Sequence, residues 1–178
     1  MDLLLKEEHH QVRETARRFS NEVVAPRARD LDENEEFPHD IVKKMAELGF
    51  LGLPFPEKYG GAGLDTLAYV IAVDEIARWC GSTAITLAAH VSLGCGPVWL
   101  NGTEEQKQRF LVPMAKGEVL GAFGLTESGA GSDSAGTQTL ATAPRPTPPR
   151  SRCNRLRPKR SACSTTISLA PGTSTPTS

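Results

Sequence analysis

The chain has 178 residues and carries 20 Lys and Arg against 21 Asp and Glu, a formal charge of −1 that implies no nucleic-acid partner. Residues 140–178 hold seven of the basic residues, seven of the 13 prolines, and neither an acidic nor an aromatic side chain. Residues 1–139 are therefore the acidic, aromatic-bearing part that can bury a core, and the remainder is expected to be disordered. A secretory leader needs a basic start and an apolar run, but Leu3-Leu4-Leu5 gives way at once to Lys6-Glu7-Glu8-His9-His10, so a cytoplasmic location is expected. The most apolar stretch, 84–100, is interrupted by Thr86, His90, Ser92, Gly94, Gly96 and Pro97, which falls short of an uninterrupted membrane span. Cys80, Cys95, Cys153 and Cys163 show no C-x-x-C spacing and read as buried or incidental thiols of a reducing compartment.

In chain order, Asp2 is placed to cap a first helix whose apolar positions Leu5, Val12, Ala16, Phe19 and Val23 recur at helical spacing until Pro26 interrupts it. Phe37-Pro38 opens a second, with Ile41, Val42, Met45, Ala46 and Leu48 on one side and Gly49 as its stop. The glycines and two prolines of 52–65 predict a defined loop, followed by a helix over 66–80. Ser82 is the expected cap of a fourth helix, 83–94, which is apolar nearly all round and reads as central to the fold. Thr103-Glu104-Glu105-Gln106 is a capping box that starts a fifth, running to about Lys116. Residues 119–125 and 136–142 then read as short strands flanking a glycine-rich loop.

The basic run within 143–178 is open to an anion-binding reading, since clustered arginines attract phosphates. Its composition instead resembles GC-rich coding sequence read in a wrong frame, which is the preferred reading. The lone His90 on its apolar helix reads as a packed, hydrogen-bonded side chain rather than an acid or base. His9-His10 read as solvated surface, and Glu7-Glu8, Glu35-Glu36 and Glu104-Glu105 as helix faces or starts rather than catalytic dyads. No metal site is expected, since the ligands it would need are not spaced for one.

The most informative stretch is Ala122-Phe123-Gly124-Leu125-Thr126-Glu127-Ser128-Gly129-Ala130-Gly131-Ser132-Asp133. Its glycines admit close approach of a ligand, and Thr126, Ser128 and Ser132 add hydroxyl donors suited to a phosphate or the edge of a polar heterocycle. It has neither the lysine of a P-loop nor the G-x-G-x-x-G spacing of a dinucleotide-binding turn. The segment resembles the flavin-binding signature of the acyl-CoA dehydrogenase family, departing from it mainly at Ser128, where a proline is usual. Gly49-Phe50-Leu51-Gly52, Pro56 through Asp65, and Gly102 through Lys107 resemble the same family in order and spacing, so the resemblance covers residues 1 to about 139.

The resemblance implies a mainly α fold: a helical bundle of about five helices over 1–117, the first strands of an incomplete β-barrel over 118–142, and a disordered tail over 143–178. It implies FAD as cofactor and α,β-dehydrogenation of an acyl-CoA thioester, in which a Glu removes the α-proton and the β-hydrogen leaves as hydride. Phe123, Leu125 and Thr126 would lie against the flavin ring, and Ser132 would reach the pyrophosphate or the acyl-CoA. Ala89, His90 and Leu93 would line the distal acyl pocket. The family's second flavin motif, an aromatic residue followed by Ile-Thr-Asn, is not found where 150–155 read Arg-Ser-Arg-Cys-Asn-Arg, and its Glu base would lie beyond this chain. The expectation is therefore a truncated fragment with no dehydrogenase activity of its own. Electron-transfer flavoprotein and a homo-oligomer are expected only for an intact family member. The alternative is a non-enzymatic helical module that binds acyl-CoA or a partner subunit.

Overall fold

A computed structural model describes residues 5–139 and, as backbone, 170–171. The expected Asp2 cap, Cys153 and Cys163, and the tail apart from Ala170–Pro171 lie outside the described residues. Among the described residues, five helices form the fold. We label them α1 (7–33), α2 (His39–Glu47), α3 (Thr66–Ala77), α4 (Gly81–Asn101) and α5 (104–115).

Pro26 does not end the first helix, contrary to the sequence expectation. Glu7–Phe19 runs through a widened π-helical turn, Ser20–Val24, into Ala25–Glu33, with the backbone helical throughout. The same device recurs twice: His90–Cys95 precedes Pro97 in α4, and Lys107–Leu111 precedes Pro113 in α5. A proline inside a helix lacks its N–H and clashes with the carbonyl four residues back. In each case that carbonyl, of Glu22, Leu93 or Arg109, lies within the widened turn, where the ladder has been opened to accept it. The extra residue also moves the buried stripe of α1, so that Val24 is enclosed and the expected Val23 only half so.

The core is built where α1 lies along α3, and α3 along α4. Ala16, Phe19 and Val24 from α1, Ile41 and Met45 from α2, Ala72 and Ile76 from α3, and Leu87 and Val91 from α4 are enclosed. Leu48, expected on the buried side of α2, is instead 44% exposed at its end. The carboxylate of Glu75 on α3 is buried, and Arg17 on α1 grips it with Nη2 at 2.8 Å and Nε at 3.2 Å while Arg78 Nε reaches it at 3.3 Å. A buried charge held by forked guanidinium donors fixes the α1–α3 register rather than adding much net stability.

The loop between α2 and α3 is a compact knot. Turns at Phe50–Gly52 and Glu57–Tyr59 are stitched by backbone bonds from Ala62 N–H to Gly52 O, Gly63 N–H to Phe55 O and Leu64 N–H to Leu53 O. Tyr59 is buried, stacks edge-on against Trp99, and donates its hydroxyl to Glu104 Oε2 at 2.7 Å. That bond joins the loop to the start of α5, where Thr103 Oγ1 accepts from Gln106 N–H and Gln106 Oε1 from Thr103 N–H, the expected capping box.

Two local readings need correction. Helix α4 begins at Gly81 with Cys80, not Ser82, in the cap position, and the Thr83 hydroxyl donates to the Cys80 sulfur at 3.1 Å. It also runs to Asn101 rather than stopping near Gly94, and is not enclosed on all sides: Ile85, Leu93 and Leu100 are 66%, 46% and 76% exposed. By length and composition α4 would suffice to cross a membrane, but its Ala84, Leu87, Val91, Cys95 and Val98 are packed in the bundle like those of a core helix. The expected strands shrink to β1, Val119–Leu120, paired antiparallel with β2, Ala170–Pro171, while 121–126 and the described residues 136–139 form no strand. The partner of β1 thus comes from 170–171 and not from the expected second strand.

Candidate functional site

The chain divides into two compact units, a helical one that includes residues up to Ala122 and another that begins at Phe123. Their described parts hold different groups of the residues singled out from the sequence. In the bundle, Ala89 is half-buried and Leu93 is 46% exposed on α4.

His90, which the resemblance placed at the distal acyl pocket, is fully buried and both ring nitrogens are engaged. Nε2 lies 3.1 Å from Met114 O and Nδ1 accepts the Gly121 N–H at 2.9 Å. A backbone N–H can only donate and a carbonyl only accept, so the ring is the neutral Nε2–H tautomer. Burial pushes its pKa down to about 4, opposed by bonds to backbone at Met114 and Leu51. The Cys95 thiol beside it, 3.5 Å from Nε2, is pushed up to about 12 by burial and is uncharged. This is the packed histidine that the apolar helix suggested, enclosed among backbone groups.

His9 reverses its reading. It is buried, not solvated, with Nε2 at 2.9 Å from Asp65 Oδ1, and Nδ1 accepting the Lys6 N–H at 3.0 Å. Asp65 in turn caps α3 by accepting from Ala68 N–H at 3.0 Å, and that bond, with the one from His9, holds its carboxyl below the usual range. Glu8, His9 and Asp65 gather their ligand atoms within 4.8 Å. The Lys6 N–H occupies the nitrogen that would have to carry the proton if Nε2 bound a metal, so the local bonding favours the His–Asp pair over coordination.

In the second unit, Phe123 and Leu125 are 39% and 42% exposed, and Thr126, Ser128 and Ser132 are exposed beside them in sequence. Glu127 and Ala130 exchange backbone bonds at 3.0 and 3.1 Å, folding Ser128-Gly129 into a tight turn. A side-chain carbon placed on Gly129 or Gly131 would meet nothing within 4 Å. Glu127, which the sequence reading passed over, holds this loop. Its Oε2 accepts the Gln138 N–H at 2.9 Å, and its Oε1 accepts the Thr139 N–H at 2.9 Å and the Thr139 hydroxyl. These bonds keep the carboxyl below its usual range, with the Gln138 N–H the largest cause. Its partners lie eleven and twelve residues on, so no local signal in the sequence marked it.

Glu127→Gln is expected to release this brace, because an amide offers one acceptor where three donors converge. Amide exchange at Gln138 and Thr139 should rise about tenfold while the bundle melts unchanged. Unaltered exchange would show that the carboxylate is not what holds 138–139.

Residues 123–139 contain no basic side chain, so they offer a ligand apolar faces, hydroxyls and main-chain N–H groups rather than cations. That donor set, with the open space beside Gly129 and Gly131, fits one wall of a site for a flat heterocycle carrying polar edges.

Comparison with known proteins identifies the helical unit. Residues 6–118 match the family model "Acyl-CoA dehydrogenase, N-terminal domain". The chain belongs to the acyl-CoA dehydrogenase family. It is 52% identical over 141 residues to a probable acyl-CoA dehydrogenase, YngJ, of Bacillus subtilis, a match covering 79% of this chain and 37% of that one. Among solved acyl-CoA dehydrogenase structures, butyryl-CoA dehydrogenase from Megasphaera elsdenii superposes with a TM-score of 0.74 at 42% identity, covering 78% of this chain and 37% of its own. An acyl-CoA dehydrogenase complexed with FAD from Bacillus anthracis gives a TM-score of 0.72 at 39% identity, covering 78% and 24%. The chain thus spans between about a quarter and little more than a third of the length of these relatives.

Proposed function

We propose that this chain contributes the amino-terminal part of an FAD-dependent acyl-CoA dehydrogenase, acting in the α,β-dehydrogenation of acyl-CoA thioesters. The observation that carries the reading is the loop at 123–132, where exposed Phe123 and Leu125 alternate with glycines and hydroxyls on a frame braced by Glu127. FAD, when bound, supplies the hydride acceptor. Phe123 and Leu125 would exclude water from one side of the site, Thr126 would orient the polar edge of the ring, and Ser132 would donate to a phosphate or to the acyl-CoA. Ala89 and Leu93 would bound the acyl chain. Electron-transfer flavoprotein as acceptor and assembly into a homo-oligomer belong to the same proposal for the whole enzyme.

The 178 residues alone are expected not to turn over acyl-CoA, because Glu127, the carboxylate within the 123–132 loop, already serves as acceptor for 138–139. A general base needs a free oxygen within reach of the α-proton. A second reading, a helical interaction module without catalysis, draws on the exposed Ile85, Leu93 and Leu100 of α4.

A chimera separates the two. Residues 6–139 should be able to replace the matching segment of the Bacillus subtilis relative, giving a flavin-loaded protein that oxidises acyl-CoA with an artificial electron acceptor, while the 178-residue chain gives no turnover. A folded chimera that purifies without flavin, or turnover by the chain itself, would overturn the proposal.

A further inference from the structure

We propose that His90 is a positioning residue: its neutral imidazole pins the backbone at Gly121, two residues before Phe123, and thereby fixes the point from which the 123–132 loop departs. The ring reaches from the middle of α4 to two other segments at once, Met114 O near the end of α5 and Gly121 N–H just after β1. The two bonds ask opposite things of the ring, a donor at Nε2 and an acceptor at Nδ1, and only a neutral histidine in one tautomer meets both.

The packing at this point is independent of the hydrogen bonds and agrees with them. A side-chain carbon on Gly94, one helical turn past His90, would lie 2.9 Å from Gly121 Cα, and one on Gly121 would lie 2.9 Å from Met114 Sδ. Backbone therefore meets backbone where α4 passes 121, with the Met114 side chain closing the other side. Among the described residues no acidic or basic side chain is bonded to the imidazole, whose neighbours are the Cys95 thiol and backbone at Leu51, Met114 and Gly121. A buried, fully satisfied polar group among backbone partners specifies one arrangement of the segments it joins. The segment so joined is the last of the bundle before Phe123.

The consequence for the loop rests on the flavin-loop reading, but the joint itself is tested without any ligand. His90→Asn keeps an oxygen at about the place of Nδ1, able to accept from Gly121, and gives up the Met114 bond. His90→Gln keeps an N–H near the place of Nε2, able to donate to Met114, and gives up the Gly121 bond. Both lose one buried bond, so a merely structural histidine would make the two variants alike.

The test is amide hydrogen exchange on the full 178-residue chain, with thermal melts to correct for global stability. After that correction, His90→Gln is expected to speed exchange at Gly121 about tenfold, the factor worth one net hydrogen bond, and to speed it at Phe123, Leu125 and Thr126 as well. His90→Asn should stay near the wild type at all four. Equal exchange in the two variants, or a Gly121 amide released in His90→Gln with no change at 123–126, would overturn the proposal. Should either variant fail to fold, the imidazole 15N shifts of the wild type decide: a bare Nδ1 and a protonated Nε2 support the joint, and the reverse tautomer refutes it. None of these readings requires flavin, so the proposal can survive or fail separately from the assignment of the cofactor.

Discussion

Gly61→Ala is expected to cost the bundle on the order of 3–5 kcal/mol, a large share of the usual stability of a domain. The added carbon would lie 2.0 Å from Phe55 O and 2.5 Å from Gly52 O, far inside contact distance, and both obstacles are backbone. Neither can retreat cheaply. Gly52 O accepts from Ala62 N–H and Phe55 O from Gly63 N–H, so moving them breaks the bonds that close the loop. Those bonds in turn place Tyr59 against Trp99 and its hydroxyl on Glu104. Gly49→Ala is the matched control. Gly49 adopts a φ of 75° at the end of α2, and an added carbon meets nothing within 4 Å, so only the backbone strain of about 1 kcal/mol applies. Urea unfolding of the two variants side by side should show the large difference, and comparable midpoints would show that the loop can open without loss.

Acid should weaken the protein first through His90. Burial holds the folded-state pKa down to about 4, below the ordinary value of 6.5 that the unfolded chain regains. Between those values the unfolded state binds a proton that the folded state refuses, so stability is complete above about pH 6.5 and falls as pH drops towards 4. The full loss is about 3 kcal/mol at 1.36 kcal/mol for each pH unit of difference. Asp65, Glu104 and Glu127 have carboxyls held below their usual values, so their contributions are present above those values and fall away at lower pH than that of His90. Urea titrations at pH 7.5, 5.5 and 4.5 should therefore show a decline that His90→Asn largely removes. A decline of equal size in the variant would assign the acid sensitivity elsewhere.

Much of this was legible because helices advertise themselves by spacing and punctuation. Thr103 and Gln106, three apart before an apolar run, form the capping box that their types require, and Gly49 stops α2 where it stands. What spacing does not reveal is how a helix accommodates a proline. Pro26 has the signature of a stop, but a widened turn one step earlier carries the chain past it, and only the displaced stripe from Val23 to Val24 betrays the extra residue. His9 looked like surface because its neighbours in sequence are charged. Its partner Asp65 lies 56 positions away and doubles as the cap of α3. Likewise, Gly61 reads as a loop glycine from its type alone, and that its reason is crowding rather than backbone angle depends on Phe55 and Gly52 folding back on it.

The loop was legible as a motif and opaque as a structure. Phe123, Leu125, Thr126 and Ser132 were marked by residue type in order, but the strand expected to carry the first two is only Val119–Leu120. Glu127 carries the bracing of 138–139, which no local pattern expresses, since its partners are main-chain N–H groups eleven and twelve residues on. His90 was correctly read as packed, and its partners at 24 and 31 residues' distance were beyond any local pattern.

The most direct test of the central claim, that 123–132 forms one wall of a flavin site, is an FAD titration of isotope-labelled chain followed at each backbone amide. The expected result is a saturable change at Phe123, Leu125, Thr126 and Ser132 with the α1–α3 core undisturbed, and weak affinity because one wall buries little of the ligand. Changes confined to the bundle, or none at these four positions at saturating FAD, would contradict it.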